Sequence, residues 1–155
     1  MQLDIAKTTI FKEAKSVSQS IKIKGITIRN FKSLFDVSFE TGNVNVFIGA
    51  NGSGKTSVLE AIGVLSAAMT DRVNNNSLQR KGVRLSTSSL YKSKFADIVK
   101  ESPTVEFSLK WGKDSHEYQY NTHLTAPVGD DSWKYHTESV SRDGIIVFGR
   151  SNRSK

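Results

Sequence analysis

The stretch VFIGANGSGKTSVLEAIGVL, residues 46–65, places Gly49, Gly52 and Gly54 between two apolar runs and sets Lys55 and Thr56 directly after the last glycine. Gly49-Ala50-Asn51-Gly52-Ser53-Gly54-Lys55-Thr56 fits the pattern G-x-x-x-x-G-K-[ST], with a β-branched run before it and helical spacing after it. Each residue type has a physical reason. Glycines let the backbone adopt conformations closed to other residues, so that successive N–H groups turn inward around a phosphate. The start of the following helix adds N–H groups without helical partners and the positive end of a dipole. Lys55 then serves as a mobile cation for β- and γ-phosphates, and the Thr56 hydroxyl as a ligand for Mg²⁺. The stretch is therefore read as a phosphate-binding loop formed by Gly49 to Ser57.

Periodicity sets the rest of the chain around this loop. Ile21, Ile23, Ile26 and Ile28 alternate with polar residues in a strand pattern that Gly25 interrupts, marking a bulge. Leu34, Val37 and Phe39 suggest a second strand, and VNVFIG (44–49) a short buried one. From Gly54 the period changes, with Val58, Leu59, Ile62, Leu65 and Met69 at helical spacing and Ala61, Ala67 and Ala68 widening the apolar face. Residues 70–89 lack periodicity and contain three successive asparagines, which reads as a loop or insertion. Residues 89–101 suggest a short helix that Pro103 stops. Period 2 then returns over 104–111, 115–123, 132–140 and 144–149, with Gly, Pro and Asp in the connectors, as in an antiparallel meander. The organisation expected is an N-terminal extension (1–20), a loop-bearing core (21–70), a basic insertion (71–103), the meander (104–149) and a basic tail (150–155).

Charge and composition narrow the setting. The 155 residues carry a formal net charge of +7, and the excess gathers in Arg72, Arg80, Lys81, Arg84, Lys92, Lys94 and Lys100, where Asp97 is the only acid. Such a segment suits phosphate backbones as well as a solvated loop. The chain has no cysteine, which excludes disulfides and thiolate metal sites. No apolar run approaches the roughly 20 residues that span a bilayer, and no signal-peptide core is present. A cytoplasmic protein without a membrane partner is expected.

Residues 26–65 resemble the N-terminal ATPase segment of the SMC, RecF and overcoming-lysogenization-defect (OLD) proteins, a group of ABC-type ATPases. The likeness rests on Arg29-Asn30-Phe31-Lys32 closing the first strand, the Asn-Gly-Ser-Gly-Lys form of the loop, and Leu59-Glu60-Ala61-Ile62 in the helix. It implies an α/β fold, the N-terminal lobe of a P-loop NTPase of the ABC-ATPase kind with an adjoining antiparallel sheet. It also implies ATP and Mg²⁺ as cofactors, an ATP hydrolase in the complete domain, and DNA as substrate in repair, chromosome maintenance or anti-phage defence. A dimer closed by ATP, or a larger assembly that includes a nuclease domain or subunit, would follow. Arg29 and Asn30 are carried over as residues lying against the nucleotide.

The departures are equally specific. In that group the metal-holding acid follows an apolar strand well downstream of the loop, whereas Ile145-Ile146-Val147-Phe148 runs into Gly149-Arg150. No Leu-Ser-Gly-Gly loop is found, and neither Gln79 nor Gln119 has the context of a metal-sensing glutamine. No catalytic residue is identified, and the chain is expected to be an incomplete nucleotide-binding domain, a piece of a longer ATPase. His116, His123 and His136 lack metal-ligand spacing, and Asp130-Asp131 sits in turn chemistry. The alternative function is a nucleic-acid-binding β module that uses segment 72–100 and a platform of Trp111, Tyr118, Tyr120, Trp133 and Tyr135, with the loop a relic.

Overall fold

A computed structural model describes residues 20–70, 72–93, 104–126 and 132–151. Six strands form one antiparallel sheet: β1 (Lys22–Phe31), β2 (Leu34–Glu40), β3 (Val105–Lys113), β4 (His116–Thr125), β5 (Lys134–Arg142) and β6 (Ile145–Ser151), in the order β2-β1-β3-β4-β5-β6. The meander read from the period-2 pattern is present as β3 to β6, with two-residue turns joining β3 to β4 and β5 to β6. The register of β1 on β3 shifts between Ile23 and Gly25, which is the bulge that the glycine announced. No helix among the described residues is long and apolar enough to cross a membrane.

Helix α1 (Lys55–Thr70) lies on one face of this sheet. Its inward side, Val58, Ala61, Val64, Leu65 and Ala68, packs with Ile26, Ile28 and Phe31 of β1 and with Val105, Phe107 and Leu124 beyond. Strand alternation explains why these residues meet: Ile26 and Ile28 stand opposite Leu109 and Phe107, so one face is apolar and the other is not. On the opposite face Thr27, Ser38, Ser108, Gln119 and Asn121 hydrogen-bond to one another instead.

Two parts of the expectation are corrected. Residues 44–49 do not form a strand, and Val44, Val46 and Ile48 are 83%, 75% and 91% exposed. A β-branched run becomes a strand only where a neighbouring strand accepts its N–H and C=O groups, and none of the described strands does so here. Within 70–89, α2 (Asn75–Arg80) replaces the expected loop. Asn74 caps it by accepting from Ser77 N–H while the Ser77 hydroxyl accepts from Asn74 N–H, a reciprocal box. At its other end Gly82, at φ +75°, donates to Gln79 C=O and Val83 donates to Leu78 C=O, a Schellman closure. A one-turn helix, α3 (Ser88–Tyr91), follows, while residues 94–103, where the rest of the predicted helix falls, lie outside the described residues, as do Asp130 and Asp131.

Candidate functional site

The glycine-rich loop closes around its own lysine. Lys55 Nζ donates to Gly49 C=O at 2.6 Å and to Ala50 C=O at 2.7 Å, with Ser53 Oγ at 3.4 Å. Ser53 N–H donates to Ala50 C=O at 3.2 Å, which tightens the loop into a turn. Gly52 and Gly54 sit at φ +84° and +93°, a region that side chains rarely adopt. Gly54 has a second reason: a Cβ there would lie 3.1 Å from Ser33 Oγ and 3.2 Å from Leu34 Cδ2, so its bareness lets the β1–β2 turn approach the loop.

The helix then opens towards solvent. The first in-helix bond runs from Val58 N–H to Gly54 C=O at 3.0 Å, so the amides of Lys55, Thr56 and Ser57 precede any helical acceptor. No acid stands in this first turn. Backbone donors, one flexible cation and a positive dipole end make a donor set that fits a polyphosphate chain. The Thr56 residue is exposed and offers one hydroxyl oxygen, which suits Mg²⁺, an ion that keeps several water and phosphate ligands.

The other predicted residues are placed differently. Arg29 projects from the face of the sheet opposite α1, where its Nε donates to Asp36 at 3.0 Å and its guanidinium lies 3.9 Å from Glu106. Asn30 adopts φ +57°, and its carbonyl accepts from Ser93 N–H. Lys32 and Ser33, in the β1–β2 turn, are the residues that meet the start of α1. Ser33 donates to Ser57 Oγ at 2.9 Å, and Lys32 Nζ donates to Glu60 Oε2 at 2.7 Å. Glu60, 2% exposed, also accepts from Arg84 Nε at 2.7 Å and Arg84 N–H at 3.2 Å through its other oxygen. Burial pushes the Glu60 carboxyl up, but the bonds from Arg84 and Lys32 outweigh it and hold the group below its ordinary 4.5. Lys32, Ser33, Ser57, Arg84, Leu85 and Leu90 face a cavity of about 590 Å³ beside the loop.

Glu60 and Arg84 were not identified as site residues in the sequence. A glutamate within an apolar helical run is the signal that could have marked Glu60, because a charge at a core-facing position needs a partner. The aromatic residues do not assemble the platform of the alternative reading. Tyr120 and Trp133 are buried in the core, Tyr135 donates to Ala68 C=O, and Trp111 and Tyr118 stack on each other at 5.4 Å. Within the basic segment Arg84 is engaged by Glu60, while Lys94 and Lys100 lie outside the described residues. His116 pairs with Asp143 at 2.6 Å, between the two hairpin turns.

A glycine-rich loop with lysine and threonine opening a helix on an antiparallel sheet fits the class of nucleotide-binding proteins. Residues 21–123 match the model of the AAA ATPase domain, and the chain belongs to that family. It is similar to the DNA replication and repair protein RecF of Oenococcus oeni, 49% identical over 57 residues that make up 37% of this chain and 14% of that protein. The RecF of Lactococcus lactis subsp. cremoris is 30% identical over 84 residues (52% and 23%), and that of Clostridioides difficile 33% over 72 (46% and 19%). The chain thus spans less than a quarter of the length of these relatives. These matches bear out the resemblance to the N-terminal segment of SMC/RecF-type ATPases.

Proposed function

We propose that Gly49 to Ser57 bind the phosphates of ATP, and that this chain is the ATP-binding lobe of an SMC/RecF/OLD-like ATPase that acts on DNA. The observation that carries the reading is the clasp of Lys55 by the carbonyls of Gly49 and Ala50, next to helix amides that have no helical acceptor. Lys55 exchanges these neutral acceptors for phosphate oxygens, a charge-assisted bond. Gly52 and Gly54 keep the backbone curved, and the amides of Lys55, Thr56 and Ser57 donate to the anionic chain. Thr56 holds Mg²⁺, which neutralises charge on the β- and γ-phosphates when bound.

DNA as substrate draws on the RecF relatives, whose name states replication and repair. ATP-dependent dimer closure, a nuclease partner, a role in anti-phage defence and a cytoplasmic setting belong to the same proposal. The exposure of Val44, Val46 and Ile48 supports a further part of it: this stretch becomes a strand once a neighbour from the remainder of a longer ATPase covers it. Hydrolysis would then depend on an acid and a signature loop from that remainder.

The test is titration calorimetry with a non-hydrolysable ATP analogue. Lys55→Ala should weaken binding at least about tenfold, the loss of one hydrogen bond to a charged group. Equal affinity in mutant and parent sinks the assignment.

A further inference from the structure

Glu60 is a buried carboxylate that two cations approach from different segments, one for each oxygen: Lys32 from the β1–β2 turn and Arg84 from the stretch after α2. A buried ion cluster seldom stabilises a fold more than apolar residues of the same volume would. What it does well is fix positions. Lys32 Nζ also lies 5.3 Å from the Tyr91 ring and 5.6 Å from that of Phe31. The Tyr91 hydroxyl in turn accepts from Ser86 N–H at 2.9 Å. Lys32, Arg84 and Ser86 all face the 590 Å³ cavity, and all three hang from contacts that lead back to Glu60.

The cavity begins where the loop ends. Ser57 follows Thr56 directly and lines the cavity wall, so the cavity adjoins the end of the loop. A volume of 590 Å³ falls within the common range for small-molecule sites, roughly 300–1,000 Å³. Leu85 and Leu90 are 39% and 59% exposed and offer apolar surface, while Ser33 and Ser86 offer hydroxyls. Lys55 donates only to neutral oxygens, while in the cavity Glu60 engages Lys32 and Arg84 and Lys92 adds a third cation to the lining. What the loop offers a phosphate chain and the cavity does not is the row of amides of Lys55, Thr56 and Ser57, which have no helical acceptor.

We propose that Glu60 is a positioning residue that sets the register of a bound nucleotide, holding Lys32 and Arg84 so that phosphates seat in the loop and the sugar and base seat in the cavity. The proposal rests on the nucleotide reading above. Without the Glu60 charge, two cations are released into the cavity wall, the wall loosens, and the cavity competes with the loop for anions. Both effects lower the preference for a nucleotide over a bare polyphosphate.

The experiment titrates the 155-residue chain with a non-hydrolysable ATP analogue and, separately, with inorganic tripolyphosphate. It uses the parent, Glu60→Gln and Arg84→Gln, each with and without Lys55→Ala. The ratio of the two affinities should fall about tenfold in Glu60→Gln and about threefold in Arg84→Gln, as expected for losing one or part of one charge-assisted bond. The Arg84 side chain is largely exposed, so Arg84→Gln leaves the core intact and decides the matter if Glu60→Gln fails to fold. Lys55-dependent binding with an unchanged ratio in the folded variants overturns the role of Glu60 alone. Binding of both probes that ignores Lys55→Ala, or no binding at all, overturns the nucleotide reading and this proposal with it.

Discussion

Gly63 sits in the middle of α1, one turn beyond Glu60, and its replacement by alanine tests how α2 is held against that helix. An alanine in a helix interior is ordinarily favoured over glycine by roughly 0.5–1 kcal/mol. Here a Cβ would stand 2.7 Å from Val83 Cγ2 and 2.8 Å from the Lys81 carbonyl oxygen. The valine methyl can rotate away, but the carbonyl cannot easily move. Lys81 caps α2, and the Schellman bonds of Gly82 and Val83 fix the chain on its far side. Overpacking of this kind costs about 1–3 kcal/mol, so the net expectation is a destabilisation of about 1–2 kcal/mol. Urea unfolding followed by circular dichroism should show a lower midpoint with an unchanged slope. Val83→Ala combined with Gly63→Ala relieves the side-chain contact only, so the double variant should remain less stable than Val83→Ala alone. A Gly63→Ala chain as stable as the parent, or more so, would falsify the claim that the Lys81 backbone is clamped against α1. The same displacement would draw Arg84 away from Glu60, so the variant should also lose nucleotide affinity.

Three further outcomes are expected. Thr56→Ala should weaken nucleotide binding more with Mg²⁺ than with a chelator present, because only a metal-ligating hydroxyl is lost; equal losses in both conditions would remove Thr56 from the metal site. The chain alone, given ATP and Mg²⁺, should release no phosphate beyond a Lys55→Ala control, since no metal-holding acid was found for it; Lys55-dependent turnover would mean that such an acid had been overlooked. Acid should destabilise the fold through Glu60: its folded pKa lies below 4.5, so the unfolded chain binds the proton first and stability falls as pH drops below about 4.5. Glu117, held down by Lys24, and Asp143, held down by Glu117 N–H and then His116, act in the same direction. Unfolding midpoints from pH 7 to 3 should therefore fall less steeply in Glu60→Gln than in the parent; parallel curves would show that Glu60 is not the titrating group.

The parts of the fold that were legible share one property, a pattern that local contacts enforce. In β3 to β6 the alternation is set by the two faces of the sheet, and α1 has an apolar surface wide enough to need a sheet beneath it. The parts that were missed depend on distant or capping contacts. α2 is six residues long, too short to show a period, and it exists because Asn74, Ser77 and Gly82 satisfy its ends. Residues 44–49 carry a strand's composition, but a strand is a property of a pair, and composition says nothing about whether a partner is at hand.

The candidate site divides along the same line. The loop was legible because every residue in it acts on its neighbours: Lys55 reaches back only six residues to Gly49, and Gly54 decides where α1 begins. Its surroundings were not, because they join residues far apart in sequence. Lys32 and Glu60 are 28 positions apart, and Glu60 and Arg84 are 24 apart, yet the three form one cluster. Arg29 lies apart from this cluster. The resemblance implied a place against the nucleotide for Arg29, whereas alternation along β1 sends it to the face that Asp36 and Glu106 occupy. The turn that follows reverses this, since Asn30 and Lys32 at φ +57° and +51° bend the chain back towards α1. Left-handed backbone at two non-glycine residues costs free energy, roughly 1 kcal/mol or more each, and it is retained where the surrounding contacts over-determine it. Here those contacts are Ser93 N–H to the Asn30 carbonyl, Lys32 N–H to the Tyr91 carbonyl, and the Lys32 ammonium to Glu60. The turn is therefore shaped by the wall it supports, and what it delivers to the loop is Ser33 and Lys32 rather than Arg29.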